Sequence, residues 1–440
     1  MLSDVSAATA RRSGFLTRAR TSAGHVYFGL CMGSLAFGFV LFYAFFKYKL
    51  VLFGWLVCVG LFAVFWIARS IRFRLDVRVL LPVLAFQGWL WLTAAWSYDP
   101  RQTLWWLALD SLLPVVFLLA ISWAQNVTAW RLSWYFEMTA VLYSLLGLWF
   151  LVTTGGFVDD RFGAVRSGMA AALLTAVPFL FWRLRLRANP YRAALTVWTV
   201  LSLLAVGSRS ALVLLPVALL GGVWIAVRTN RRPLSTAFIA ALATLVVAGA
   251  LLAVPAVRAG LAEGLARFSP AHQSLDVSAK VVSELGRSEA VDIDRRLQAF
   301  IALETFLADP ALGDGYMNTY MKVQDRFQRE VSAHGLPFTL LAETGLVGTV
   351  LFLLMVASCY RALRRAAQGA ASLRERGFML TLTLTLTVLL LFGLFHQVHQ
   401  NPTFHVLLGW GYAVAIAARP PRTAASPHPA HRAPAAGAPA

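Results

Sequence analysis

The sequence predicts an all-α, polytopic membrane protein with about twelve transmembrane helices and one large helical loop on the outer side of the membrane. Hydrophobic residues make up 59% of the 440 positions, whereas charged residues make up only 13%. An average soluble domain carries about 25% charged residues, so this composition excludes an ordinary soluble protein. Apolar runs of about twenty residues, the length that crosses a bilayer as a helix, recur along the chain.

Twelve apolar segments qualify as membrane spans. They occupy residues 24–46, 50–68, 79–97, 104–123, 132–152, 167–182, 193–207, 210–227, 234–255, 338–360, 377–395 and 403–418. The predicted domains are a cytoplasmic segment at 1–23, helices 1–9 within 24–255, a loop at 256–337, helices 10–12 within 338–418 and a disordered Ala/Pro-rich tail at 419–440. The first span has no clear cleavage site after it and is expected to remain uncleaved.

Basic residues predict the orientation of these spans. With the N-terminus in the cytoplasm, the inner segments hold 24 of the 39 Lys and Arg residues, and the short outer loops hold six. Such enrichment is typical of cytoplasmic loops. Both termini are therefore expected in the cytoplasm, and the loop at 256–337 is expected outside. The formal charge of +19 would suggest nucleic acid in a soluble protein, but here it is assigned to membrane orientation.

The long outer loop is predicted to fold into helices of its own. Apolar residues recur at helical spacing over 294–309, where Asp292 or Asp294 can cap the start and Pro310 ends the helix. A Gly-Asp-Gly turn follows, and a second helix at about 318–331 leads towards the tenth span. The three cysteines lie in or beside apolar runs, so neither a disulfide framework nor a cysteine metal site is predicted.

His334 precedes the tenth span at the boundary between water and lipid. Pro337 fits the first turn of a helix, where its missing N–H costs nothing, so His334 is expected just outside that helix. Glu343 lies about 9 Å further along the helix axis, and Gly345 and Gly348 permit close helix packing. An imidazole held there above a carboxylate is suited to act as a general base. The alternative is a loop histidine that hydrogen-bonds locally.

Five arginines on the outer side are candidates for binding an anion. Arg161 and Arg166 lie in one outer loop, Arg209 lies in a very short outer turn, and Arg295 and Arg296 are expected in the first turn of the loop helix. A guanidinium binds phosphate oxygens bidentately and stays charged, so their convergence would suit a diphosphate. The alternatives are pairing with neighbouring aspartates for Arg161, Arg295 and Arg296, and snorkelling to headgroups for Arg209.

The residues around His334 resemble the signature of O-antigen ligases and related polysaccharide polymerases, His-Asn-x-x-Leu-x-x-x-x-Glu-x-Gly-x-x-Gly. Four residues match its spacing: His334, Glu343, Gly345 and Gly348. Gly335 stands in place of the Asn, which helps to orient the site in that family, and Phe338 stands in place of the Leu. The resemblance extends to Ser-Arg-x-Ala-Leu around Arg209, Arg-Phe-Gly at Arg161, and Pro-x-x-Gly-x-Gly from Pro310.

The resemblance implies an enzyme of the bacterial inner membrane that works on the periplasmic side. It would transfer a glycan from undecaprenyl diphosphate to a sugar hydroxyl of lipid A-core, with His334 and Glu343 as catalytic residues and the five arginines on the diphosphate. The sequence has no phosphate-binding loop and no dinucleotide fingerprint, so ATP and nucleotide sugars are not expected as cofactors or substrates. No nucleic acid partner is expected.

Two alternatives remain open at the level of sequence. An O-antigen or exopolysaccharide polymerase would share the same signature. A proton-coupled transporter or flippase would use Asp110 and Glu137, the carboxylates inside the fourth and fifth spans, although burial against hydroxyl or indole groups explains them equally well. A group of three histidines stands near the last outer turn: His396, His399 and His405. No carboxylate or cysteine completes the group, so no metal site is predicted.

Overall fold

The computed structural model describes residues 22–45, 48–154, 163–186, 189–206, 208–229, 287–327 and 335–417. Within these ranges the regular structure is entirely helical, and no strand is present. Five helical segments of this described part are long and apolar enough to cross a membrane. They are Val77–Ala95, Pro100–Asn126, Ser167–Leu184, Leu336–Gln368 and Leu373–Gly393. The all-α class and the multi-pass membrane character are thereby confirmed.

We number the α-helices in chain order. They are α1 (Ser22–Phe45), α2 (Tyr48–Ile67), α3 (Val77–Leu92), α4 (Pro100–Asp110), α5 (Leu112–Asn126), α6 (Ala129–Leu132), α7 (Trp134–Thr154), α8 (Gly163–Leu186), α9 (Pro190–Val206), α10 (Arg209–Arg228), α11 (Arg287–Ala308), α12 (Asn318–Phe327), α13 (Leu336–Gln368), α14 (Leu373–Gly393) and α15 (Pro402–Ala417). Two short 3₁₀ helices, Thr93–Ala95 and Val398–Gln400, lie after α3 and before α15.

Helices occupy every predicted span except the one at 234–255, which lies outside the described residues. The predicted span at 104–123 consists of two helices, α4 and α5, which meet at Ser111. The total of twelve crossings stays a prediction. The segments before residue 22 and after residue 417, including the predicted tail at 419–440, also lie outside the description.

The loop helix α11 corrects one expectation from the sequence. It begins at Arg287, not near Asp294, and ends at Ala308 before Pro310 as predicted. Asp292 and Asp294 therefore lie inside the helix and do not cap it. The stretch before them contains Arg, Glu and Ala, which are good helix formers and extend the helix towards its N-terminus.

Helix α8 forms the centre of the bundle and is buried along most of its length. It packs against α7, α9, α10 and α14. An aromatic cluster fills the space between these helices and α15. In it the rings of Phe136 and Phe179 stack with centroids 4.0 Å apart, and Trp182, Phe378 and Trp410 surround them. Beside this central group of helices, α13 packs against α3, α14 and α15.

Arginines gather at the end of the bundle where α14 begins. The guanidinium carbons of Arg183, Arg192 and Arg374 lie 4.1, 5.0 and 4.7 Å from the centre of the Trp130 ring. Glu137 forms ion pairs with Arg183 (2.8 Å) and Arg192 (3.0 Å). The segments predicted to face the cytoplasm therefore pack together, although the side of the membrane itself stays a prediction.

Segments predicted to lie outside meet at the other end, where α14 terminates. The backbone N–H of Tyr98 donates to the carbonyl of Asp314 (3.2 Å). The hydroxyl of Ser210 hydrogen-bonds to Nε2 of His396 (2.8 Å). The first contact joins the segment after α3 to the loop that follows α11, and the second joins the start of α10 to the turn after α14. The candidate site is built from this end of the bundle.

Candidate functional site

The helix that follows His334 is broken at Gly345. Inside α13, Gly345 has φ 63° and ψ −169°, a combination of backbone angles that is essentially restricted to glycine. The break separates a short half-helix at 336–344 from a long one at 346–368. Pro337 lies in the first turn of the short half-helix, as the sequence predicts.

The break frees two carbonyl groups, and the loop after α11 binds both. In a continuous helix, the carbonyls of Ala342 and Glu343 would accept hydrogen bonds from the N–H groups four residues later. The carbonyl of Ala342 instead accepts from the N–H of Asp314 (2.9 Å). The carbonyl of Glu343 accepts from the N–H of Gly315 (3.0 Å).

The same loop binds the two N–H groups that the break frees. The N–H of Leu346 donates to the carbonyl of Pro310 (2.9 Å), and the N–H of Val347 donates to the carbonyl of Ala311 (3.2 Å). The loop thus replaces both missing helical bonds with four bonds to itself. We call residues 310–315 together with 342–347 the spliced joint. Buried backbone groups must find partners, so neither segment can form this structure without the other.

Glycines in both segments make the spliced joint possible. Gly313 has φ 69°, and a Cβ on it would lie 2.5 Å from the backbone nitrogen of Gly345. A Cβ on Gly345 would overlap the carbonyl oxygen of Ala311. Gly345 therefore permits contact with a loop and not, as predicted, with another helix. Gly348 does lie at a helix contact, because a Cβ there would approach Trp89 of α3 to 2.8 Å.

Glu343 holds the start of α12 through its side chain. It is 1% exposed, and its Oε2 accepts a hydrogen bond from the backbone N–H of Met317 (2.9 Å). The hydroxyl of Thr319 lies close to this carboxyl group, and Oε1 has no well-formed hydrogen bond among the described residues. Glu343 therefore connects the half-helix behind His334 to the loop helices.

Tyr316 is the centre of a polar network that the sequence did not reveal. Its buried hydroxyl donates to the carboxylate of Asp110 and accepts from Nε2 of Gln400 (3.0 Å). Its carbonyl accepts from the hydroxyl of Thr103 (2.9 Å). Burial, together with the charge of Asp110, raises the pKa of Tyr316 well above its usual value, so the phenol stays protonated and donates. In the sequence, only its position directly after Gly313-Asp314-Gly315 could have pointed to Tyr316 as a functional residue.

Two histidines near this network, His399 and His405, are buried. Nε2 of His405 lies 2.7 Å from the carbonyl of His399, and burial lowers the pKa of His399 to about 3. A cavity of about 30 Å³ beside them is lined in part by Asp110 and Tyr316. Pockets for small molecules usually measure about 300–1,000 Å³, so this space suits a water and not a sugar. Among the described residues, no group of three or more His, Cys, Asp or Glu could hold a metal ion.

Several predicted site residues fall on positions that the structure does not describe. His334 and Arg161 lie outside the described residues. The backbones of four arginines are described, but their side chains are not: Arg166 in α8, Arg209 in α10, and Arg295 and Arg296 in α11. Because α11 begins at Arg287, Arg295 and Arg296 do not lie in its first turn. The predicted placement of these two arginines at the N-terminus of the loop helix is therefore wrong.

Neighbours of these positions show which segments come together. Gly335 packs so closely against the turn after α14 that a Cβ on it would lie 2.9 Å from the carbonyl oxygen of Leu394. His396 in the same turn hydrogen-bonds to Ser210, the residue that follows Arg209. The chain next to His334 and the chain next to Arg209 thus contact one short turn. The structure brings the His334 and Arg209 segments to the same end of the bundle.

Comparison with known proteins agrees with these motifs. Residues 194–353 match the family model described as O-antigen ligase. No curated protein matches the chain significantly. The matched segment includes most of α9, all of α10 to α12 and the spliced joint, and therefore both glycine motifs together with His334 and Arg209. Arg161 and Arg166 precede it. The resemblance inferred from the sequence is confirmed.

Proposed function

We propose that this membrane protein, which carries an O-antigen ligase domain over residues 194–353, transfers a glycan from undecaprenyl diphosphate to a sugar hydroxyl of lipid A-core. The reaction would occur on the periplasmic face of the inner membrane. The observation that supports this proposal best is the spliced joint, in which the glycines of the two family motifs fit against each other. The joint fixes the loop helices, including the arginine-bearing α11, relative to the half-helix that begins two residues after His334.

The proposed chemistry begins with His334 as general base. Its imidazole takes the proton of the acceptor hydroxyl, whose oxygen attacks the anomeric carbon of the donor glycan. The bond from that carbon to the diphosphate oxygen breaks, and undecaprenyl diphosphate leaves with the bonding electrons. Attack from the face opposite the diphosphate inverts the anomeric centre. The donor is already activated, so the transfer does not draw on ATP.

The arginines would stabilise the leaving diphosphate. Fixed guanidinium groups at a site of developing negative charge lower the barrier without reorganisation, and they can neutralise a diphosphate in place of a metal ion. Arg209 and one or both of Arg295 and Arg296 are assigned this role, with Arg161 and Arg166 as further contacts. The first three lie within the family match, and the last two precede it.

Glu343 would act as a positioning residue through the loop. Its carboxylate binds the backbone of Met317 and is buried below the surface of the bundle, so its effect on His334 is indirect. Glu343→Gln keeps a side-chain oxygen that can accept from Met317. We therefore expect a smaller loss of transfer from Glu343→Gln than from His334→Ala.

The test is glycan transfer in membrane vesicles with a defined lipid-diphosphate donor, at matched expression. Without its base, His334→Ala should transfer about 10²–10⁴-fold more slowly while it retains donor binding. The wild-type rate should rise with pH through an apparent pKa within about one unit of 6.5. His25→Ala, in α1 near the opposite end of the bundle, is the matched control and should transfer normally. Near-normal transfer by His334→Ala would contradict the proposal.

The lipopolysaccharide of a deletion strain separates a ligase from a polymerase. A ligase is indicated when capped lipopolysaccharide is lost and carrier-linked polymer is retained, whereas a cap of a single repeat indicates a polymerase. The transporter alternative has lost support, because Glu137 is paired with Arg183 and Arg192 and Asp110 accepts the hydroxyl of Tyr316. It would regain support if neutralising both carboxylates abolished function and His334→Ala did not.

A further inference from the structure

A basic groove lies between α13 and α14, at the end of the bundle opposite the spliced joint. Its cavity has a volume of about 440 Å³, within the usual range of about 300–1,000 Å³ for ligand sites. Three arginines line it, Arg361 and Arg364 from α13 and Arg376 from α14. Along the helix axis, the groove is roughly 24 Å from Gly345 at 1.5 Å per residue, so it is separate from the proposed active site.

The lining of this basic groove combines three arginines with apolar and neutral side chains. Leu380 and Thr383 continue its α14 wall about one and two turns beyond Arg376, and Tyr360 precedes Arg361 in its α13 wall. The Tyr360 hydroxyl is already paired with that of Thr387 (2.7 Å), so this part of the wall presents little free polarity. An occupant that fits must be anionic at one end and apolar at the other.

The charge of the basic groove is uncompensated within its own lining. None of its lining residues in the described part of the chain is acidic. Nε of Arg361 donates to the carbonyl of Ala357 (3.3 Å), which orients that guanidinium without neutralising it. Three neighbouring cations repel one another, and an anion between them removes the repulsion and forms charge-assisted hydrogen bonds.

We propose that the basic groove binds an anionic phospholipid, with the phosphodiester between the three guanidinium groups and an acyl chain along the apolar wall. The sequence assigns this end of the bundle to the cytoplasm, and the cytoplasmic leaflet carries the anionic lipids that basic pockets between transmembrane helices recognise. The lipid would bridge α13 and α14, and α13 is the helix that contains the break at Gly345.

The experiment compares lipid binding to three purified full-length proteins in detergent. They are the wild type, a groove variant (Arg361→Gln, Arg364→Gln, Arg376→Gln) and a control variant (Arg72→Gln, Arg74→Gln, Arg78→Gln). The control removes the same charge from an exposed segment predicted to lie on the same side. Binding of dioleoyl phosphatidylglycerol is measured by native mass spectrometry and by the shift in apparent unfolding temperature, with dioleoyl phosphatidylcholine and inorganic phosphate as comparison ligands.

Phosphatidylglycerol should bind and stabilise the wild type and the control variant. Each arginine near an anionic lipid contributes roughly fivefold in affinity, so the groove variant should bind on the order of 100-fold more weakly. Phosphatidylcholine should have a much smaller effect on all three proteins. Equal binding of phosphatidylglycerol by the groove variant and the wild type would overturn the proposal. So would equal stabilisation of the wild type by phosphatidylcholine, or by inorganic phosphate, which would indicate a free anion. Groove-variant protein that fails to purify is replaced by Arg364→Gln alone, for which about fivefold weaker binding is expected.

Discussion

Replacing Gly345 with alanine should disrupt the spliced joint. With φ 63° and ψ −169°, this position is favourable only for glycine, and an alanine forced to stay there would cost roughly 1–3 kcal/mol in backbone energy. Its Cβ would also lie 2.6 Å from the backbone nitrogen of Gly313, in addition to its overlap with Ala311. Because both obstacles are backbone atoms, neither can move aside alone. We expect the loop to detach and α13 to become a continuous helix.

The cost of detachment follows from the hydrogen bonds that change. The joint loses its four connecting bonds, and the repaired helix regains two. A net loss of two backbone bonds is worth about 1–3 kcal/mol. Detachment also separates Met317 from the side chain of Glu343, a further hydrogen bond worth about 0.5–1.5 kcal/mol. The spliced joint should therefore be weakened by roughly 1.5–4.5 kcal/mol in Gly345→Ala.

The assay combines thermal unfolding of the purified protein with glycan transfer in vesicles at matched expression. Gly345→Ala should unfold at a lower temperature and transfer at least about 100-fold more slowly, because small displacements of catalytic groups have effects of this size. Gly88→Ala is the matched control. It lies inside α3 with open space around its Cβ, so alanine should stabilise that helix by up to about 1 kcal/mol. A Gly345→Ala protein with wild-type stability and transfer would refute the joint as described.

Three further outcomes follow from the contacts and the proposed roles. Arg209→Ala, and the double change of Arg295 and Arg296 to Ala, should weaken binding of a lipid-diphosphate donor by tenfold or more, since each charge-assisted contact contributes about 1.5–3 kcal/mol. Lysine at these positions should restore the affinity only in part, and unchanged affinity in the alanine variants would remove these arginines from the site. Tyr316→Phe removes the hydroxyl that bonds to the buried side chains of Asp110 and Gln400, which should lower the free energy of unfolding by about 1–3 kcal/mol and change the transfer rate only a few-fold. A loss of transfer above 100-fold would indicate that the phenol takes part in the chemistry. Glu137→Ala leaves a 1%-exposed arginine unpaired and should destabilise the protein by about 3–5 kcal/mol; an unchanged unfolding temperature would show that the ion pair contributes little.

The helices were predictable because their signal is local. A span needs only an apolar run of sufficient length, and the runs at 24–46 and 377–395, for example, coincide with α1 and α14. The end of α11 before Pro310 and the turn at Gly313 were predictable for the same reason, because each depends on residues at that point of the chain. The start of α11 was placed wrongly because acidic residues that can cap a helix are also tolerated inside one.

The spliced joint was not predictable from periodicity, because it depends on two segments that are 32 residues apart along the chain. An apolar pattern runs through Gly345 without interruption, and the glycine alone suggested close helix packing. Only the position of the loop shows that Gly313 and Gly345 occupy the same small volume. The polar network around Tyr316 is hidden for the same reason, since its partners come from α4 and from the turn before α15.

The departure from the family signature at Gly335 has a conformational explanation in this chain. Gly335 adopts φ 97° and ψ 117°, outside the left-handed region that asparagine tolerates. The Cβ of any side chain there would also lie only 2.9 Å from the carbonyl oxygen of Leu394. The position is therefore specialised for close contact between the half-helix and the turn after α14. In this chain a backbone carbonyl approaches the position where the family signature has asparagine, next to the residue proposed as the base.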